Sequence, residues 1–247
     1  MNGNFRAALA LSLAIFLSAT IWSWTFLHAK KLDQNVSVTG SSKKRIRSDL
    51  VLWKTSVTAE GSNLSDTYDK LNRDIEKTRA FIGAHGIPAA QTVLSAVETT
   101  PIRQGKRRPP DEEEASVISG AITGYQLKQS LEIRSAEVDK VTAVSRQVTE
   151  LIKQGILLES EAPRYLYTRL AETKVEILAE AAKDALARAR QIASSTGSEI
   201  GEVRSADMGV LQITAADSTD VSGYGIYDTT SVEKDITAVV HVTFALR

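Results

Sequence analysis

The sequence predicts an α+β fold in which an antiparallel sheet packs against about three helices, preceded by one N-terminal apolar helix. Two observations predict the folded part. Segments that alternate apolar and polar residues are interrupted by single segments with a helical period, and the chain ends on a long strand pattern. Paired strands separated by single helices favour this class over a parallel doubly wound sheet. The third observation is a long uncharged stretch within the first thirty residues, which predicts the apolar helix.

Composition excludes several protein classes. The chain has 247 residues, with 30 Lys and Arg against 30 Asp and Glu, and it contains no cysteine. An apolar fraction of 43% and a charged fraction of 24% exclude disordered, collagen-like and low-complexity chains. Without cysteine there is no disulfide framework, zinc ribbon, iron–sulfur site or thiol nucleophile. A net charge near zero offers no general argument for nucleic-acid binding.

Residues 7–28 are the predicted membrane anchor, after a short tail of residues 1–6. No charged residue lies between Arg6 and Lys30. A helix over residues 7–27 would span about 31 Å, which matches a hydrocarbon core of about 30 Å. The sequence therefore predicts contact with a membrane through residues 7–28.

A cleaved signal peptide is the alternative to this anchor. The apolar stretch is longer than a signal-peptide core, and no Ala-x-Ala cleavage site follows it. Trp22 and Trp24 suit the headgroup boundary at its far end. We therefore expect a single-pass inner-membrane protein with its large domain in the periplasm, and secretion to the periplasm after cleavage is the alternative. Counting positive charges leaves the orientation close to a tie.

Residues 33–247 form the predicted folded domain, which begins with strands near Val36 and over Asp49–Glu60. A helix follows from Ser62, its predicted N-cap, and a strand over Ala90–Thr100 is closed by Pro101. The second strand places on one face Val51, Trp53, Thr55, Val57 and Ala59. The helix places on one stripe Leu64, Tyr68, Leu71, Ile75 and Ile82, and Gly83 and Gly86 lie near its end.

The stretch Arg103–Glu114 is a predicted exposed loop. It places the basic run Lys106–Arg108 beside the acidic run Asp111–Glu114. The acids would repel a polyanion and could bind divalent cations only weakly, so the loop predicts neither a nucleic-acid partner nor a metal site.

The next segment follows the same order of elements. A strand region over Ser116–Arg134, with Gly120 and Gly124 as bulges, leads into a helix from Ser135, which Gly155 closes before a strand around Tyr165–Tyr167. Two stretches of the first half match two of the second: Ser56–Glu60 with Ser130–Arg134, and Gly86-Ile87 with Gly155-Ile156. A duplicated strand–helix–strand unit explains the match, and chance similarity is the alternative.

The last part of the chain predicts a third helix over Thr173–Ser194, ended by Gly197, and a strand over Val203–Thr214. The turn Asp220–Asp228 leads to the final strand. The helix carries on one side Leu178, Ala181, Ala182, Ala185, Ala189 and Ile192, with an Asp184–Arg188 pair opposite. The final strand carries on one face Ile236, Ala238, Val240, Val242, Phe244 and Leu246, which predicts a C-terminus paired inside a sheet.

No catalytic, cofactor-binding or metal site is predicted. The three histidines, His28, His85 and His241, have no ligand-like partner at i+2 or i+4, and His85 suits the end of a helix. Neither a Gly-x-Ser-x-Gly elbow nor a phosphate-binding loop occurs.

Four tyrosines are the candidate contact residues for a subunit or a ligand, because aromatic side chains are enriched at interfaces. They are Tyr165, Tyr167, Tyr224 and Tyr227. Core packing is the alternative for each of them.

Short motifs follow one another in a characteristic order and spacing: Val36–Gly40, Ile122–Tyr125, Tyr165–Leu170, the helix with Ala181, Ala185 and Ala189, and Gly197-x-x-x-Gly201. Together they resemble the SIMPL-domain family, which includes bacterial periplasmic and outer-membrane immunogenic proteins, and the resemblance covers roughly Asn35 to Arg247. It implies an α+β domain in the cell envelope, a tendency to form homo-oligomers, and no established catalytic residues. The Arg103–Glu114 stretch and the retained N-terminal helix depart from the family pattern.

The sequence thus predicts a non-catalytic, membrane-anchored envelope protein whose domain self-associates. A ligand- or partner-binding module that uses the aromatic loop around Tyr224 is the first alternative. An enzyme whose site forms only in three dimensions is the second.

Overall fold

The computed structural model describes residues 3–32, 34–104 and 120–247, and in its first helix the side chains of residues 11–25. The helices of this part of the chain are α1 Gly3–Leu32, α2 Leu64–Ala84, α3 Val138–Gln147 and α4 Leu170–Ser195. Its strands are β1 Asn35–Arg47, β2 Leu50–Gly61, β3 Thr92–Leu94, β4 Glu98–Arg103, β5 Ile122–Ser135, β6 Leu157–Ser160, β7 Arg164–Leu166, β8 Ile200–Met208, β9 Gln212–Ala215, β10 Ile226–Tyr227 and β11 Glu233–Leu246. The α+β class is confirmed. Most of the predicted loop Arg103–Glu114 and the start of the strand predicted from Ser116 lie outside the described residues.

The helix α1 contains the predicted anchor, residues 7–28. The side chains of residues 11–25 are all exposed. When the described residues are searched for a helix that is long and apolar enough to cross a membrane, none is found. The anchor therefore stays a prediction from the sequence.

The first of two sheets, sheet A, is built around the C-terminal strand β11. On one side β1 pairs with it antiparallel along its whole length, from Asn35↔Ala245 to Arg47↔Glu233. On the other side β8 and β9 pair with it, also antiparallel, and β10 adds to β9 in parallel. The predicted paired C-terminus is confirmed, because β11 lies between neighbours on both sides.

The helix α4 covers one face of sheet A with a row of small side chains four residues apart. The buried members of this row are Ile177, Ala181, Ala185, Ala189 and Ala193. The predicted apolar side was right for three of these alanines but wrong for Ala182 and Ile192, which are exposed. Opposite the helix, β11 buries Ile236, Ala238, Val240, Val242 and Phe244.

The close approach of α4 to the sheet depends on Gly40 in β1. A Cβ atom added at this residue would lie closer than 3.0 Å to the backbone oxygen of Ala181 and to the backbone nitrogen of Ala185. Backbone atoms inside a helix cannot rotate out of the way as a side chain can. Glycine is therefore required here by the space between strand and helix.

The second sheet, sheet B, is built around the antiparallel pair of β2 and β5. The short strands β3 and β4 pair with β5, and β6 and β7 pair with β2. The predicted inner face of β2 is confirmed, since its members are all buried: Val51, Trp53, Thr55, Val57 and Ala59. The helices α2 and α3 cover this face and complete a core separate from that of sheet A.

The two halves of sheet B occupy matching positions. Ser56 and Ser130, which the sequence alignment matched, lie directly opposite each other at the centre of the β2–β5 ladder. Gly86 and Gly155 both adopt positive φ, 83° and 79°. Gly86 follows α2, and Gly155 follows the 3-10 helix Val148–Gln154 that continues α3. In each half the next residue is a buried isoleucine whose N–H bonds a carbonyl five residues back, Ile87 to Ile82 and Ile156 to Leu151. These matches are consistent with a duplicated unit, which stays a prediction from the sequence.

Several predicted boundaries were wrong. The N-cap of α2 is Asn63 and not Ser62, because the Asn63 side-chain oxygen accepts the N–H of Ser65 at 2.8 Å. The helix predicted from Ser135 begins at Val138, and the Ser135 hydroxyl accepts the N–H of Glu137 at 3.0 Å. The strand expected over Ala90–Thr100 is a short 3-10 turn followed by β3 and β4.

Other differences concern proline and glycine. Pro101 lies inside β4, where an edge strand needs no N–H on its outer side, instead of ending the strand. Near the predicted bulges, the β4–β5 ladder shifts register between Ile102 and Arg103. The strand predicted over Val203–Thr214 is two strands, β8 and β9, interrupted around Gly209.

The expectation of a single sheet was wrong because the chain changes sheets between β1 and β2. Ser48 donates its N–H to the carbonyl of Val232, which precedes β11, at 2.9 Å. The next residue, Asp49, donates its N–H to Leu166 of β7 at 3.0 Å. Its carboxylate accepts the N–H and the hydroxyl of Thr168 at 2.8 and 2.9 Å. Two adjacent residues thus bond to different sheets.

We predict that Gly40→Ala lowers the free energy of unfolding by about 1–3 kcal/mol, because the new methyl group overpacks the strand–helix contact. Chemical denaturation measures this change. Gly83→Ala is the matched control: its Cβ would meet nothing within 4 Å, and alanine in a helix is favoured over glycine. A Gly40→Ala protein as stable as the wild type would contradict the predicted contact.

Candidate functional site

Two of the four candidate tyrosines pack against the cores, Tyr165 as a buried residue and Tyr167 as a partly buried one. Tyr165 is buried in the core of sheet B, and its hydroxyl shares a hydrogen bond with Thr142 at 3.0 Å. Tyr167 packs against the core of sheet A and shares a hydrogen bond with Thr173 at 2.9 Å. Their position in β7 and just after it links the two cores. Neither ring is displayed on the surface as a free aromatic anchor.

The other two candidate tyrosines lie on the surface, in the segment between β9 and β11. Tyr224 is 100% exposed and Tyr227 is 50% exposed. The turn that carries Tyr224 is nevertheless ordered by local hydrogen bonds. Gly225 adopts a φ of 86°, its N–H bonds the carbonyl of Ser222 at 3.1 Å, and the Ser222 hydroxyl accepts the N–H of Tyr224 at 3.3 Å.

One glutamine side chain attaches this turn to sheet A. The amide nitrogen of Gln212, the first residue of β9, donates to the carbonyl of Ser222 at 2.7 Å, and its amide oxygen accepts the N–H of Ser222 at 3.4 Å. Gly225 lies against Val210, since a Cβ added at this glycine would approach the Val210 side chain at 2.8 Å. The exposed ring of Tyr224 therefore projects from a turn whose backbone is held in place by hydrogen bonds.

Further exposed apolar side chains lie along the same edge of sheet A. We call the set the Tyr224 surface, and its members are Met208, Val210, Val221, Tyr224 and Tyr227, all of them exposed. Single exposed apolar residues are ordinary on protein surfaces, and a group of them along one edge is a candidate interaction site. The sequence identified the two tyrosines as candidates. Met208 and Val210 were missed because both were placed within one continuous strand over Val203–Thr214.

A buried lysine holds the far end of the same segment. Lys234 is 1% exposed, and its ammonium donates to the carbonyl of Asp228 at 2.5 Å and lies 3.3 Å from the Asp228 carboxylate. Burial lowers the pKa of Lys234, an effect that Asp228 partly offsets. Burial also raises the pKa of Asp228, but hydrogen bonds from Thr230 and Ser231 and the charge of Lys234 outweigh it and bring that pKa to about 2. The pair fixes the path of the chain into β11.

The next residue, Asp235, is the centre of a charge cluster on the face of sheet A opposite α4. Its carboxylate is 2% exposed and accepts from Arg45 at 2.9 Å, from Lys43 at 2.8 Å and from the N–H of Asp217 at 2.9 Å. The hydrogen bonds from Arg45 first, then those from Lys43 and the Asp217 N–H, hold the pKa of Asp235 well below its ordinary value. The hydrogen bonds that Arg45 donates to the carboxylates of Asp235 and then Asp217 raise the pKa of Arg45. The cluster ties β1 to β11 and to the turn after β9.

In the sequence, neither Lys234 nor Asp235 suggested a functional site. Lys234 and Asp235 follow one another on opposite faces of a strand, and only the packed sheet makes both of them buried. The signal that could have predicted their burial is the position of Lys234 and Asp235 at the start of a strand whose inner face is otherwise apolar.

The histidines are scattered in the described structure. His85 caps the C-terminal end of α2, with its Nδ1 2.8 Å from the carbonyl of Phe81. His241 lies in β11, with its Nδ1 2.8 Å from the hydroxyl of Thr39. The side chain of His28 lies outside the described residues. Across the described ranges, no group of three or more His, Asp or Glu side chains could hold a metal ion.

We predict that the stability of the domain falls with acidity partly through Asp235. Because its pKa is lower in the folded than in the unfolded state, its stabilisation is complete above the unfolded pKa of about 4 and is lost as pH falls through the folded value. Asp235→Asn should cost about 1–3 kcal/mol at pH 7 and flatten the decline below about pH 4, as measured by denaturant unfolding across pH. The exposed Asp69→Asn is the control. An unchanged pH profile in Asp235→Asn would refute this role.

The comparisons with known proteins agree with the resemblance found in the sequence. A family model described as "SIMPL: Protein of unknown function (DUF541)" matches residues 36–244. No curated protein shows a significant match to the chain. The matched region begins in β1 and ends in β11, so it includes both sheets. The chain therefore belongs to the SIMPL family.

Proposed function

We propose that this SIMPL-family protein is a non-catalytic component of the cell envelope that self-associates into a homo-oligomer. Residues 7–28 anchor it in the inner membrane as a single span, and the domain from residue 33 onward lies in the periplasm. The uncharged stretch before Lys30 supports the anchor. Release into the periplasm after signal cleavage is the alternative. Neither a cofactor nor nucleic acid is part of the proposal.

The observation that carries self-association is Tyr224 itself. Its ring is 100% exposed while the turn below it is held by Gln212 and Ser222. A tyrosine offers a large contact area, and on an ordered turn little conformational entropy remains to be lost on binding. Exposed aromatic residues of this kind are frequent hot spots of protein interfaces.

The same surface supports the second candidate function, a module that binds another protein or a small ligand. Tyr224 is fully exposed and not enclosed in a cleft, which suits an interface with a macromolecule better than an enclosed ligand site. The two functions differ in an observable way. Self-association occurs in a pure sample, whereas binding of another partner leaves the pure protein monomeric.

We predict that Tyr224→Ala combined with Tyr227→Ala weakens the oligomer without lowering the melting temperature, because neither ring is buried in the fold. Light scattering after size-exclusion chromatography of the full chain in detergent measures the assembly, and thermal unfolding measures the fold. Val93→Ala removes an exposed apolar side chain in β3 of sheet B and is the matched control. Assembly as strong as in the wild type would exclude the Tyr224 surface as the contact. A wild-type monomer at micromolar concentration would exclude self-association.

We predict that alkaline phosphatase fused after Arg247 is active in cells, because this enzyme folds to its active form in the periplasm. The C-terminus of the domain carries the reporter to the side on which the domain lies. The same fusion lacking residues 7–28 is the control and should be inactive. Activity that appears only with a cytoplasmic reporter would place the domain on the other side of the membrane.

A further inference from the structure

Sheet A has an unpaired edge at β1. In the described part of the chain, β1 has a strand partner on one side only, β11. Ser48 N–H bonds toward the β11 side, whereas Ser41 N–H bonds outward to the Asp184 carboxylate at 2.9 Å. In an antiparallel ladder this alternation continues, so the N–H and C=O groups of Ser37 and Thr39 also face outward.

Part of this edge is protected against pairing with another chain and part is not. The Asp184 carboxylate of α4 covers the Ser41 N–H and four basic side chains follow from Lys43, whereas residues 35–39 have neither protection. The strand has 13 residues and no proline, and its ladder with β11 has no register shift. The stretch Asn35–Ser42 carries no charge. Sheet B, by contrast, ends on the proline-containing β4 and on strands of three or four residues, β3, β6 and β7. Proteins normally shield long flat edges, and one left open is a template for strand addition.

The opposite edge of sheet A is formed by β8 and the Tyr224 surface. From Glu202 to Met208 every residue of β8 is exposed. Gly209 N–H bonds Val239 of β11 at 2.9 Å, so the alternate residues Ala206 and Met208 have outward-facing N–H and C=O groups. The ladder of β8 with β11 shifts register on either side of Phe244, so the regular part of this edge, residues 205–208, is the part that is able to accept a strand.

The two edges match in direction. Both β1 and β8 run antiparallel to β11, so they are parallel to each other. Copies placed side by side in the same orientation would bring β8 of one beside β1 of the next. A twofold axis joining β1 to β1 would instead put the N-terminal ends of the two strands, and with them the proposed anchors, at opposite ends of the paired strands, which is unfavourable for two anchors in one bilayer.

The two edges also match in charge. The segment 35–47 contains four basic residues and no acidic one: Lys43, Lys44, Arg45 and Arg47. The segment 199–228 contains six acidic residues and one basic one: Glu199, Glu202, Asp207, Asp217, Asp220 and Asp228 against Arg204. All four basic side chains have acidic partners within the chain: Lys43 and Arg45 contact the buried Asp235, Arg45 also contacts Asp217, Lys44 contacts Glu176, and Arg47 contacts Asp139 and Glu233. A contact with the acidic turn of a neighbouring copy would therefore exchange only the pairs whose two partners are exposed, which costs little, while Lys43 and Arg45 keep Asp235.

The register places these charges at the same level of the sheet. Lys43 lies opposite Thr237, which lies opposite Gln212 of β9, so the basic end of β1 is level with the segment that leads into the acidic turn. In the same way Ser37 and Ser205 both lie opposite Thr243. A neighbouring copy in the same orientation thus has its β8 beside the uncharged residues of β1 and its acidic turn beside the basic residues of β1.

We propose that a second copy of this chain docks head to tail, with β1 of one copy added in parallel to β8 of the next and Lys43–Arg47 facing the acidic turn around Asp220. This rests on the proposed self-association and names its two surfaces. Because the two surfaces differ, the contact repeats from copy to copy. It then closes into a ring or continues as a filament.

Single-cysteine variants of the full chain in detergent test the contact, since the wild type has no cysteine. Ser37→Cys is mixed in turn with Ser205→Cys and with Asp207→Cys, carrying a different tag, and oxidised. The two positions within one chain are separated by β11, about 10 Å, which is too far for a disulfide. We expect disulfides between the two tagged variants in a mixture and none when a variant is oxidised alone.

Two other outcomes would overturn the head-to-tail contact while leaving self-association intact. They are disulfides within a single variant, which indicate a twofold contact, and an oligomer that forms no mixed disulfide. A monomeric wild type would overturn the proposed function as well, so the two failures are distinguishable.

A proline variant tests the strand edge itself. Ser37→Pro removes an outward N–H without breaking the ladder to β11, and Ser37→Ala is the matched control for the lost hydroxyl, which contacts Thr243 at 2.9 Å. We expect Ser37→Pro to weaken assembly at least about tenfold relative to Ser37→Ala. Equal assembly of the two variants would overturn the proposed strand pairing.

Discussion

The architecture depends on the change of sheet at Ser48–Asp49. Strands β1 and β2 follow each other with two residues between them, yet each is built into a different sheet with its own core. A single extended strand of this length would have to bury one continuous face against one layer. The hydrogen bonds of Ser48 toward β11 and of Asp49 toward β7 instead divide the segment into two strands, and each strand buries its own face in a separate core. This division lets α4 cover sheet A while α2 and α3 cover sheet B.

Sheet A is held by two physical devices that act on different faces. On the covered face, Gly40 and the alanines of α4 bring backbone against backbone, so van der Waals contact replaces large side chains. On the open face, the Asp235 carboxylate accepts hydrogen bonds from Lys43, Arg45 and the N–H of Asp217. Next to it, Lys234 is buried on the covered side against Asp228. Buried charges of this kind require partners in fixed positions, and they thereby fix the chain entering β11.

The same features explain why the surface of this domain is uneven. The edges of sheet B are short or contain Pro101, whereas sheet A keeps a long edge at β1 and an exposed apolar edge at β8 and Tyr224. An arrangement that protects one sheet and leaves both sides of the other open is consistent with a domain that joins copies of itself through sheet A.

The sequence by itself determined the α+β class, the inner faces of β2 and β11, the ends of the helices at Gly86 and Gly155, and the SIMPL family, because these depend on local periodicity and on glycine conformation. It also identified Tyr224 as a candidate contact residue. It could not distinguish the exposed Tyr224 from the buried Tyr165, because the residue type alone does not show whether a tyrosine is buried. The tertiary structure decided the division into two sheets, the burial of Lys234 and Asp235, and the open edges. Those properties depend on which distant strands pair with which, and a local pattern carries no information about a partner 200 residues away, such as Thr243 beside Ser37.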